Sequence, residues 1–164
     1  MIKRYTPEEI GRIWNDEEKF RRFLEIEILL AEALEKRKII PAGVSKRIRQ
    51  KAKFSVRRIR KIEKSTHHDI IAFLKDVSYS IGGNARYLHY GLTSSDLLDT
   101  TLASQIKDSL RIILKDLDAL INQAKKKAIK YKDTICIART HGVHAEIYSF
   151  GLKFLYFYND LIKE

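Results

Sequence analysis

All five histidines fall in three short polar stretches: His67 and His68 in "STHHD", His89 in "YLHYGLTSSD", and His141 and His144 in "RTHGVHAE". Each stretch carries further hydrogen-bonding groups, among them Asp69, Thr93, Ser94, Arg139 and Thr140. Imidazole gains and loses a proton near neutral pH, which suits general acid or base work, and a neighbouring carboxylate such as Asp69 can fix its tautomer and orientation. A metal is the competing use. "HGVH" spaces two imidazoles three residues apart, a spacing that shares one face of a helix, and His68 with Asp69 would complete a zinc sphere. Against it, Gly142 disfavours a regular helix and no established zinc spacing is present, so acid–base chemistry is the stronger reading.

The other polar residues point to anions. A helix opening at "GLTSSD" would aim hydroxyls and free backbone N–H groups at one place, suited to a carboxylate or a phosphate. The plainer role of the same residues is an ordinary N-cap. Arg4, Tyr5 and Arg139 can hold further anionic groups, arginine through a bidentate fork. Residue chemistry alone therefore suggests a histidine acid or base acting on a small polyanion.

Helices must position these groups. "TPEE" from Thr6 offers an N-cap, a proline at the first helical position and Glu9 where a capping box wants it. A second helix starts near Asn15 or Asp16, with Phe20, Phe23, Leu24, Ile28, Ala31 and Leu34 on one face, until "KIIPAG" stops it. Val44, Ile48, Ile59 and Ile62, on two short helices, form its partner face. A further helix fits His68 to Ser80 and ends at "GGN". After "TSSD", Leu98, Leu102, Ile106, Leu110, Ile113, Leu117, Leu120, Ala124 and Ala128 recur at helical steps without Gly or Pro. That predicts one helix of roughly 37 residues, about 55 Å long. A compact chain of 164 residues makes a body only about 40 Å across, so this helix calls for a bundle with helices from further chain or from other subunits. A last apolar helix starts near Ser149 and is still running at Glu164, as if the chain were the N-terminal part of a larger protein.

Composition narrows the class. The 164 residues are 45% hydrophobic and 32% charged, with 7 Gly and 2 Pro, which fits a soluble helical protein. No apolar run is long enough to span a bilayer, and the N-terminus lacks the apolar stretch of a signal peptide, so the expected location is cytoplasmic. Cys136 is the single cysteine, which excludes an intrachain disulfide. The formal charge is +11, and between Lys46 and Lys64 ten basic residues stand against one acid, Glu63. Only Phe54 interleaves that run with an aromatic ring, so a solvated basic face is expected there and a nucleic-acid partner is not.

Four motifs, "RYTPEEIGRIW" at Arg4, "STHHDIIAFL" at Ser65, "HYGLTSSDLLDT" at His89 and "ARTHGVHAEIYSFG" at Ala138, occur in an order that resembles the adenylosuccinate lyases of the fumarase/aspartase superfamily. The resemblance runs over essentially the whole chain as the N-terminal portion of such an enzyme. It implies an all-α fold, with an N-terminal helical domain over residues 1–92 and the first long helices of a bundle over 93–164, truncated at its C-terminal end. Four subunits would assemble through that bundle, as a homotetramer. The reaction implied is β-elimination of fumarate from adenylosuccinate, giving AMP, and from the succinylcarboxamide ribotide earlier in purine synthesis, with no metal or organic cofactor. By the same resemblance His141 is the general acid on the departing nitrogen, and His68 orients the substrate and its charge. Arg4 and Tyr5 meet the nucleotide phosphate, Thr93 and Ser94 the succinyl carboxylate. Thr140 and Asp69 support the site, and His89 is a phosphate-side contact. His67 stands where the family usually has arginine, Ala138 where it has glycine, and Ile147 where it often has proline. The family's base is a serine on a Gly/Ser-rich loop in the later part of its members, and each site combines three subunits, so this chain alone is expected to be inactive.

Overall fold

The computed structural model describes residues 2–163. Its elements, in chain order, are α1 (Glu8–Ile13), α2 (Asp16–Lys36), α3 (Val44–Lys51), α4 (Val56–Thr66), α5 (Asp69–Ile81), α6 (Ser94–Lys130), β1 (Ile135–Thr140), β2 (Val143–Ser149) and α7 (Phe150–Leu161). Short 3-10 turns cover Lys3–Tyr5 and Gly82–Tyr87. The chain divides into two compact units, Met1–Ser109 and Leu110–Glu164.

Helix starts follow side-chain chemistry. The Asn15 carboxamide accepts from Glu18 N at 2.7 Å and opens α2, and the acidic residues Asp16, Glu17 and Glu18 fill its first turn. Thr6 does not cap α1: its hydroxyl donates to Ile2 O at 2.9 Å, and Pro7 takes the N-cap position. The Glu35 carboxylate accepts from Ser45 Oγ at 2.7 Å, Gly43 N at 2.6 Å and Ser45 N at 2.9 Å, which fastens the loop entering α3 to the end of α2. Led by the Ser45 hydroxyl bond, these contacts hold the Glu35 carboxyl below its ordinary range.

The first unit is organised on aromatic packing. Phe73 of α5 is fully buried and stacks on Phe20 of α2, with ring centroids 5.8 Å apart and planes at 10°. Phe23 meets it edge-on at 5.5 Å, and Phe54 at 6.4 Å. Ile48, Ile59, Ile70 and Val77 belong to the same buried cluster. The buried Asp76 carboxylate accepts from Ser55 N at 2.7 Å and Arg58 Nε at 2.5 Å, so it satisfies the start of α4 and carries no unpaired charge.

The apolar row that defines α6 in the sequence is not the row packed inward in this unit. Leu97, Thr101, Gln105 and Ser109 are buried, at four-residue steps, while Leu102 and Ile106 are 46% and 43% exposed. Polar contacts draw this face in: Gln105 Nε2 donates to Ile13 O at 2.7 Å, Trp14 Nε1 to Ser109 Oγ at 2.9 Å, and Arg22 to Asp108 at 2.7 Å. Much of the apolar row is left uncovered, with Leu110, Ile113 and Leu120 also exposed, whereas Leu98 packs against the core cluster and Ala124 is buried.

In the second unit the architecture is helical with one addition, the antiparallel pair of β1 and β2 over a stretch that sequence patterning did not assign. Thr140 pairs with Val143, so His141 and Gly142 alone make the turn. Both have positive φ, 51° and 77°, the signature of the type I′ turn whose twist matches a hairpin. The register shifts between Ile137 and Arg139, where β2 holds one extra residue and bulges. The hairpin leads into α7 through Ser149, whose hydroxyl accepts from Gly151 N at 3.1 Å. Tyr131, Phe150 and Phe154 then pack as a ring cluster with centroids 5.2 to 6.0 Å apart.

Gly151 is the tight point of that return. A Cβ there would lie 2.5 Å from Ala128 O and 2.8 Å from Lys132 N and Cα, all backbone atoms that cannot rotate away. Gly151→Ala is expected to destabilise the protein by about 1–3 kcal/mol, as overpacking does. Urea unfolding followed by circular dichroism would report it as a lowered midpoint, with Gly83→Ala, whose added Cβ meets nothing within 4 Å, as the unchanged control.

Candidate active site

Seven of the nine candidate residues, Arg4, Tyr5, His68, Asp69, His89, Thr93 and Ser94, belong to the first unit, and Thr140 and His141 to the second. Arg4 and Tyr5 share the first 3-10 turn, where the guanidinium lies 4.7 Å from the centroid of the Tyr5 ring. Tyr5 is 70% exposed, so its hydroxyl and the Arg4 fork are displayed together.

His68 is the N-cap of α5. Its Nδ1 accepts from Ile71 N at 3.5 Å, which leaves the proton of the neutral ring on Nε2. Asp69 does not orient that ring, since its Oδ1 is 3.8 Å from Nδ1, beyond hydrogen-bond reach. Its carboxylate instead accepts from Ile70 N at 2.8 Å and from Lys19 Nζ at 3.2 Å. The helix end thus fixes the His68 ring, in the tautomer opposite to the one a carboxylate partner at Nδ1 would select. His67, before it, closes α4 in the left-handed conformation, φ 51°, with an exposed side chain.

His89 has a different environment. Its backbone is also left-handed, φ 57°, and both its backbone N and ring Nδ1 bind one carboxylate, Glu27, at 2.6 Å to Oε2 and 2.7 Å to Oε1. The Glu27 side chain is wholly buried and that of His89 mostly so. A carboxylate accepts, so Nδ1 of His89 is the donor. His68 and His89 are therefore held in opposite tautomers. Glu27 was not among the residues singled out from the sequence; its signal was a carboxylate set into the apolar face of α2, between Phe23 and Ala31.

Thr93 and Ser94 lie at the start of α6, where Thr93 N donates to Asp96 Oδ2 at 2.8 Å, one half of a capping box. In the second unit His141 projects from the hairpin turn directly after Thr140, and both are exposed. His144 pairs with Arg139 across the strands, so "HGVH" is a turn and not one face of a helix. Among the described residues no group of three His, Cys, Asp or Glu side chains is placed to hold a metal ion.

Residues 3–164 match the model of a protein family described as lyase. The chain belongs to the lyase family. Two lyase relatives are the adenylosuccinate lyases of Staphylococcus saprophyticus and Bacillus subtilis, 45% and 44% identical over 161 residues, or 98% of this chain. The chain spans 37% of the length of each. Among solved structures, a fumarate lyase from Mesorhizobium sp. BNC1 superposes with a TM-score of 0.87 at 25% identity, over 94% of this chain and 37% of that one. Three arginines of the basic run in this lyase-family chain are ion-paired within its own fold: Arg49 binds Glu25 and Glu32, Arg58 binds Asp76, and Arg60 binds Asp16. Among the described residues no helix is long and apolar enough to cross a membrane.

Proposed function

We propose that the protein is an adenylosuccinate lyase, releasing fumarate from adenylosuccinate to leave AMP, and from succinylcarboxamide ribotide by the same β-elimination. The observation that carries this reading is 44–45% identity to enzymes of that name along 98% of the chain. In the reaction a base removes a proton from the succinyl carbon next to the one bearing nitrogen. The C–N bond then breaks, its electron pair leaves with nitrogen, and His141 returns a proton to that nitrogen. His68 presents Nε2–H toward the substrate, the free donor of a ring whose Nδ1 is already engaged by α5. Arg4 and Tyr5 receive the phosphate. Thr93 and Ser94, at the positive end of α6, receive a succinyl carboxylate. Thr140 supports His141, and Asp69, bound to Ile70 N and Lys19 and not to the His68 ring, supports the start of α5.

The same reading makes residues 1–92 an N-terminal helical domain and 93–164 the opening of a long-helix bundle. The uncovered apolar row of α6 supports assembly through that bundle, as a homotetramer with composite sites. The test is fumarate release from adenylosuccinate by the protein expressed from its complete reading frame, followed by ultraviolet absorbance, with argininosuccinate and a carboxymuconate lactone as alternative substrates. Turnover of adenylosuccinate alone is expected; turnover of an alternative substrate in its place would reassign the lyase.

A further inference from the structure

The Glu27 carboxylate has no part in the reaction just described, yet it is among the most completely buried ionisable groups in the molecule and both its oxygens are committed to a single residue, His89. An apolar side chain would fill this place on α2 without desolvating a charge, since Phe20, Phe23, Ile28 and Ala31 surround it on the same buried face. A lone buried carboxylate costs stability unless its bonds are needed, and here the bonds do two things at once. The bond from the backbone N–H of His89 holds a left-handed turn that a non-glycine residue adopts at a cost. The bond from Nδ1 fixes the ring, with only Nε2 left to face outward. An imidazole so held keeps one ring nitrogen for a substrate anion, Nε2, and when that nitrogen carries a proton the ring donates to Glu27 on one side and to the anion on the other.

We propose that Glu27 is a positioning residue for His89, fixing the ring through Nδ1 and the backbone through N–H so that Nε2 meets a phosphate-class anion of the substrate. The kinetic arm of this proposal rests on the lyase reading above; its structural arm does not.

The structural arm is long-range proton–nitrogen correlation NMR of the 15N-labelled protein, at a pH where the imidazoles are neutral, with His89→Gln used to assign the resonance. The expected spectrum shows His89 protonated at Nδ1 and bare at Nε2, and Glu27→Gln, whose carboxamide can donate to Nδ1, reverses that tautomer. A wild-type ring protonated at Nε2, or a Glu27→Gln ring unchanged from wild type, overturns the proposal, and the wild-type measurement decides even if the variant does not fold. In the kinetic arm, Glu27→Gln in the full-length enzyme is expected to raise KM about tenfold, the scale of one charge-assisted hydrogen bond, with kcat changed far less. In the His89→Gln background the same substitution is expected to add nothing to KM. An additive rise would mean that Glu27 acts other than through His89, and an unchanged KM in the single variant would equally overturn the proposal. Absence of fumarate release from the wild type would instead count against the lyase reading, leaving the tautomer measurement to decide the role of Glu27.

Discussion

Replacing His141 by alanine in the full-length enzyme is expected to lower kcat for fumarate release about 10²–10⁴-fold, the range of a lost general acid, while KM for adenylosuccinate changes little. On the lyase reading proposed above, the departing purine nitrogen carries the electron pair of the broken bond, and without a positioned donor that charge must be met by water. The hairpin gives His141 the placement such a donor needs: a two-residue turn offers the imidazole to solvent and fixes its backbone, so the ring has few torsions left to settle. Alanine at φ 51° also strains the turn, so its effect alone mixes lost chemistry with altered geometry. Asparagine tolerates the left-handed region and keeps the turn, which makes His141→Asn the deciding variant. Both variants are expected to lose kcat to a similar degree, with partial recovery of the alanine variant in added imidazole. Near-wild-type turnover by His141→Asn would remove His141 from the chemistry and turn attention to the histidines of the first unit.

What the sequence made legible, and what it hid, follows from how far apart the interacting residues are. Asn15, His68 and Ser149 open α2, α5 and α7 because a cap is a local bargain between a side chain and the next turn, readable in four residues. The span of α6 was readable for a related reason, a long apolar row without Gly or Pro. Its buried face was not. Gln105 is held by Ile13 O, 92 positions away, and a polar residue with so distant a partner looks like a solvated one. Glu27 was hidden in the same way, 62 positions from His89. The hairpin escaped because its strands carry Arg139, His144 and Glu146 where alternation would show, and its turn is His-Gly where Asn-Gly or Asp-Gly is the usual sign. Of the candidate site, residue types and order were legible stretch by stretch. The arrangement around each histidine was not: local spacing put Asp69 on His68, whereas the structure gives Asp69 to Lys19 and His68 to its helix.

Phe73→Ala is expected to destabilise the first unit by about 3–5 kcal/mol, at the upper end for buried aromatic truncations. The ring is wholly buried and is the hub of four phenylalanines, so its removal strips partners from Phe20, Phe23 and Phe54 together and leaves a void those rigid rings cannot collapse to fill. Urea unfolding followed by Trp14 fluorescence would show the loss as a lowered midpoint with an unchanged slope, and Phe73→Leu, which keeps most of the volume, is expected to cost well under half as much. A shift below about 1 kcal/mol for the alanine variant would mean that α2 and α5 are held together by something other than this cluster. The placement of the cluster gives the experiment a functional edge. Phe73 lies on α5, the helix whose first turn holds His68, and it packs on α2, the helix that carries Glu27. If these helices serve only to hold the two histidine environments, the folded fraction of Phe73→Ala in the full-length enzyme should keep its kcat at low temperature and lose activity on warming in step with unfolding. A kcat reduced while the protein is still fully folded would instead mean that core packing sets the orientation of His68 directly.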